Sequence, residues 1–192
     1  MKNILLILSF LLTYNTYSQA IIFNKQNEES LYKFLSNSNV EFDKSDIVTL
    51  KDINSFSLYN NTDKLTVPEA YFFNREGFRL KGNFDATSCG QAISSLEKLN
   101  KKSFYKNDTI DDWIRDFKYL HPQSSDLHNS EYDGFVIINW AIFLPTMNKV
   151  SFTWYKSLKE EKKYKIKVFL LNLDIQDSWE MSQEQKDALH LE

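Results

Sequence analysis

One side chain in this sequence can act as a soft nucleophile: Cys89, the only cysteine among 192 residues. It lies in ATSCGQAISSLEKL, where Ile93, Leu96 and Leu99 carry an apolar stripe that predicts a helix over residues 89 to 100, capped by Thr87 or Ser88. A thiol in a first helical turn sits beside unpaired N–H groups and the positive end of the dipole. A partly exposed sulfur there has a lowered pKa and is a candidate catalytic residue. The competing expectation is a small apolar side chain packed at the helix start. One thiol cannot close an internal disulfide, so the hydrophobic core must hold the fold.

The other chemistry-bearing residues are not grouped for a reaction. His121, His128 and His190 are too scattered for metal-ligand spacing, and no metal or cofactor is expected. Asp111-Asp112 and Glu160-Glu161 are neighbours on expected helices and point in different directions, as solvated carboxylates do. Trp113, Trp140, Trp154 and Trp179 read as core or rim aromatics. With glycine only at 77, 82, 90 and 134, neither a dinucleotide-binding nor a P-loop fingerprint can be written.

Composition narrows the class. Hydrophobic residues at 42% and aromatics at 15% are enough to pack one ordinary domain. A net charge of −3 with both signs interspersed offers no basic face for phosphates, so nucleic acid is not an expected partner. The start, MKNILLILSFLLTYNTYSQA, has one Lys, an apolar run from Ile4 to Leu12 and a polar stretch ending in Ser18-Gln19. That pattern predicts a signal peptide over residues 1–18, hence an exported, periplasmic or secreted protein. The run is about half of the roughly 20 residues that span a bilayer, so stable membrane insertion is not expected after cleavage.

The elements follow from periodicity. Ala20 to Phe23 reads as a strand, Glu28 to Leu35 as a helix, Val40 to Phe42 and Ile47 to Leu50 as short strands, and Asp52 to Tyr59 as a short helix. TVPEAYFFNREGFRLKG, residues 66 to 82, reads as a hairpin of strands Ala70–Phe73 and Phe78–Lys81 turning on Asn74 and Gly77. Residues 101–132 read as a linker with a short helix over Ile110–Tyr119 and the loop HPQSSDLHNSEYDG. Residues 133–192 read as a βαβ unit: apolar strand Phe135–Ile138, helix Asn148–Glu161, apolar strand Ile166–Leu173 and a short terminal helix. Strands apolar on both faces predict parallel pairing under helices.

A Val-Pro pair entering a strand, a glycine hairpin and a following helix resemble the thioredoxin-like fold, here over residues 19–100. In that family the proline is cis and lies beside the active-site cysteines, which places Val67 and Pro68 at the site. The resemblance maps the cysteine-bearing segment onto Asn24, Lys25, Gln26 and Asn27, where no thiol is present, so dithiol exchange cannot run there. A second match lies further on. INWAIFLPTMNKV, followed by a helix and KIKVFLLNLD, resembles the first half of an extracytoplasmic thioredoxin, and sets Leu144 and Met147 at the cysteine positions with Pro145 and Thr146 between them. ATSCGQ also resembles the thiol-peroxidase motif of the glutathione peroxidases, but the strand that precedes it in that family is missing.

The expected fold class is therefore α/β, a thioredoxin-like mixed sheet flanked by helices. The C-terminal βαβ unit either extends that sheet or supplies the first half of a permuted fold. The expected function is a binding module without the redox dithiol, its partner an extended peptide or another exported protein, held in a groove beside Pro68. The alternative is a one-cysteine thiol reductase or peroxidase using Cys89.

Overall fold

The two most apolar runs form the middle of the sheet. The computed structural model describes residues 24–82, 103–121 and 131–191. In chain order its elements are α1 (Glu28–Asn37), β1 (Ile47–Leu50), α2 (Ile53–Asn61), β2 (Glu69–Phe73), β3 (Phe78–Leu80), β4 (Phe104–Thr109), α3 (Ile110–Ile114), β5 (Phe117–Tyr119), β6 (Gly134–Trp140), α4 (Pro145–Glu160), β7 (Ile166–Asn172) and α5 (Gln183–Ala188). The strands make one mixed seven-stranded sheet in the order β4-β3-β2-β6-β7-β1-β5. β6, β7 and β1 run parallel, while β2 lies antiparallel to β6 and β5 antiparallel to β1.

Alternation along β6 and β7 builds a core on each face. Val136, Ile138, Val168 and Leu170 meet Leu31 and Leu35 of α1 and Trp154, Tyr155 and Leu158 of α4. Phe135, Ile137, Phe169 and Leu171 meet Ile53 and Tyr59 of α2, Ile110 and Trp113 of α3, and Trp179. Each such side chain stabilises the fold by roughly 1.5–3 kcal/mol through burial, which is why the doubly apolar strands occupy the centre. The protein is thus a mixed α/β body with helices on both faces of its sheet.

The β6–α4–β7 unit, expected either to extend the sheet or to supply the first half of a permuted fold, stands between β2 and β1. Three features differ from the sequence reading. Residues 101–132, expected as a linker with one helix, supply two edge strands as well. In β4 the sequence FYKNDT is largely exposed, so its polar composition resembles a loop although the backbone pairs with β3. The helix expected to reach Tyr119 stops at Ile114, and the chain turns back so that Asp116 C=O accepts from Lys51 N–H and β5 pairs with β1. Val40 and Phe42, expected in a strand, instead pack half-buried against the core under α1 and α4.

The signal segment 1–18, the strand 20–23, Cys89 with its helix 89–100, and His128 lie outside the described residues. Among the described residues no helix is long and apolar enough to cross a membrane, and no group of His, Cys, Asp and Glu could hold a metal ion.

Candidate functional site

Parallel β6, β7 and β1 end at the same side of the sheet, and antiparallel β2 begins there, because Glu69 pairs with Asn139. Four segments converge: residues 64–68, the β6–α4 connection 141–147, residues 173–177 beyond β7, and the turn after β1. The carboxyl ends of parallel strands are where open α/β sheets bind ligands.

Buried amides fix the β6–α4 connection. Asn148 Nδ2 donates to Ala141 C=O at 2.7 Å, while its Oδ1 accepts from Ala141 N–H at 3.1 Å. Ser151 Oγ donates to Asn139 C=O at 2.7 Å. Just beyond β7, the Asp174 carboxylate accepts from Ile142 N–H at 2.7 Å and from Asn172 Nδ2 at 2.6 Å. Gln176 Nε2 closes the network by donating to Asn172 Oδ1 at 3.0 Å and to Asp174 C=O at 2.6 Å. Burial pushes the Asp174 carboxyl above the ordinary range; N–H groups of Ile142, Asn172 and Phe143 offset only part of that cost.

The facing wall is held the same way. Asn139 Nδ2 donates to Lys64 C=O at 2.8 Å and to Thr66 C=O at 3.0 Å, fixing the approach to the cis Val67–Pro68 bond. Val67 and Phe143 pack on one apolar cluster. The β2–β6 register ends at Glu69 and Asn139, and Pro68, the residue before, has no N–H with which to extend it. Among the described residues the Val67 N–H and C=O form no hydrogen bond.

Of the residues singled out from sequence, Leu144, Pro145, Thr146 and Met147 stand on the rim of this site. Leu144 is half-buried and precedes the helix without a side-chain cap, Pro145 begins it, and Thr146 and Met147 are exposed. Asn24, Lys25, Gln26 and Asn27 sit elsewhere on the same side, beyond β7, which is separated from β2 by β6. Gln26 N–H donates to Ile175 C=O at 2.7 Å, its C=O accepts from Asp177 N–H at 2.8 Å, and Asn27 caps α1 in a reciprocal pair with Ser30. The two segments matched to cysteine positions are thus separate, and only residues 144–147 follow the strand that pairs with β2.

Sequence reasoning passed over Asn139, Asn148, Asn172 and Asp174, all buried. The signal was present: polar residues at the ends of INW and LLNLD interrupt otherwise apolar strands, where a buried amide must find partners. Asn139 Oδ1 and, on the next residue, Trp140 Nε1 are buried with no hydrogen-bond partner among the described residues. Comparison with protein-family models, curated proteins and solved structures found no match to this chain.

Proposed function

We propose that this chain is an exported, thioredoxin-like binding module in permuted form, in which residues 133–192 serve as the first half and the β2–β3 hairpin as the second. One observation carries the reading: β6–α4–β7 stands beside antiparallel β2, so the Leu144–Met147 connection leaves the strand next to the one that Val67–Pro68 enters, at the same end of the sheet. That is the relation between the cysteine loop and the proline in the family this sequence resembles. Leu144 and Met147 carry no thiol, so the loop has no attacking or resolving sulfur for exchange. What it retains is a rigid rim, exposed Thr146 and Met147, and the open backbone of Val67, which together suit an extended peptide paired by main-chain hydrogen bonds.

The test is selection of extended peptides from a random displayed library on the purified protein, followed by affinity measurement on variants. Met147→Asp and Thr146→Arg should each weaken the selected peptides about tenfold, near 1.4 kcal/mol, with the melting temperature unchanged. Cys89→Ser should leave affinity as it was. Peptides that bind both rim variants as well as the parent sink the assignment of the site; binding lost in Cys89→Ser would favour the thiol-based alternative.

A further inference from the structure

Next to the sheet end, α1 and α4 leave a groove between them that reaches Pro145 at the start of α4. Its volume is about 930 Å³, within the range of roughly 300–1,000 Å³ common for small-molecule sites. One side is the end of α1 and the residues that follow it, with Phe34 and Val40; the other is the outward stripe of α4, with Lys149, Phe152 and Lys156. The aromatic lining has a solid backing. Phe34 stacks on Trp140 at 5.9 Å and 18°, and Phe152 meets the same buried indole at 5.8 Å and 59°.

The charges along the groove are unequally committed. Lys159 reaches down to the buried carboxylate of Asp46 at 2.8 Å. Lys156 and Glu160 form an exposed pair at 3.8 Å, a geometry that contributes little and yields readily to a competitor. Lys149 has no ion pair among the described residues, and its backbone C=O accepts from Thr153 Oγ1 at 2.8 Å. The uncommitted positive charge therefore lies on the α4 wall, next to the aromatic lining. Glu41, on the opposite wall, disfavours a second negative group on the same ligand.

We infer that this groove, which shares only Pro145 with the rim of the sheet-end site, is a second ligand site, which takes an amphipathic organic monoanion. Its apolar body lies against Phe34, Val40 and Phe152, and its single carboxylate-like group meets Lys149 and Lys156. A ligand of this kind uses both parts of the lining at once, whereas a neutral chain leaves the lysines unused and a cationic one is repelled by them.

Calorimetric titration of the intact protein with dodecanoate, below its micelle concentration, tests this directly. Dodecyltrimethylammonium is the cationic counterpart. Saturable one-to-one binding of dodecanoate is expected, weakened about tenfold by Lys149→Glu and unaffected by Lys106→Glu on the distant strand β4, with no saturable uptake of the cation. Phe152→Ser should abolish binding; if that variant does not fold, Lys149→Glu, a surface change, decides alone. Absence of saturation, equal binding of the cation, or an unchanged affinity in Lys149→Glu overturns the inference. Met147→Asp lies outside the groove lining and should leave dodecanoate affinity unchanged, which keeps this test distinct from peptide binding at residues 144–147.

Discussion

Asn148 holds Ala141 at both of its backbone polar groups, with 2.7 Å to the carbonyl and 3.1 Å to the N–H. This one side chain ties the residue after β6 to the first turn of α4. All partners are buried, so truncation leaves a donor and an acceptor without water or protein to replace the amide. At about 1–3 kcal/mol for each orphaned group, Asn148→Ala should cost about 3 kcal/mol in urea unfolding, with an unchanged m-value. A loss below about 1 kcal/mol would mean that the connection is fixed by other contacts.

Asp174 should give the protein a pH dependence of unusual sign. Burial raises its folded pKa above the ordinary value of about 3.9, so the folded chain holds this proton more tightly than the unfolded chain does. The group's contribution is full below the unfolded value and is lost as pH rises through the folded one. Asp52 and Asp112 act in the opposite direction. At Asp52, burial pushes up, but the Ser55 N–H and hydroxyl and the Lys51 charge outweigh it; at Asp112 the Thr109 hydroxyl leads. Both carboxyls lie below their usual range, so their contributions are lost as pH falls. Subtracting wild type from Asp174→Asn isolates the first effect. The variant should gain on wild type as pH rises from about 4 and then hold a constant difference; a difference flat with pH would show an unshifted carboxyl.

The hairpin turn carries a prediction that the sequence itself supports. Gly77 has φ 84°, and its N–H donates to Asn74 C=O at 2.9 Å. Asn74 Oδ1 accepts from Phe78 N–H at 2.8 Å. A Cβ in the left-handed region costs about 1–2 kcal/mol, so Gly77→Ala should lower unfolding free energy by that amount. Equal stability would mean that the turn re-forms with other dihedrals.

That turn was legible because its chemistry is local: Asn and Gly at fixed offsets between two apolar runs have one common solution. The same holds for Glu28–Asn37, whose stripe of Leu31 and Leu35 faces the core, and for the parallel pairing of β6 and β7, whose apolar character on both faces demands cover on both sides. Strand order was not legible. Placing β6 and β7 between β2 and β1 depends on which long-range pairings bury the most surface, and β4 shows how an exposed edge strand can have the composition of a loop. At the candidate site, Pro68 and Leu144–Met147 could be named from motif, but their place at the same end of the sheet required the register of Glu69 with Asn139. The amides beneath them went unnoticed because asparagine in sequence reads as surface or turn, and only burial reveals it as a clamp.

At the opposite end of the sheet, Asp46 offers a test of how a buried charge is tolerated. It is 2% exposed and accepts from Lys167 Nζ at 2.9 Å, Lys159 Nζ at 2.8 Å and the Tyr155 hydroxyl at 3.0 Å. Burial, followed by the Asp46 charge, pushes the Tyr155 phenol far above its usual range and keeps it a donor. Lys167 is nearly as buried as Asp46, whereas the Lys159 side chain is 42% exposed. Removing the carboxylate's charge with Asp46→Asn strands the Lys167 ammonium and should cost about 3–5 kcal/mol. Lys159→Met should cost under about 1 kcal/mol, since solvent already screens that pair. The double variant Asp46→Asn, Lys167→Met should be more stable than Asp46→Asn alone, because the stranded charge has gone with its partner. Additive losses in that cycle would mean that the two groups contribute independently and that the pair is not what holds β1 to β7.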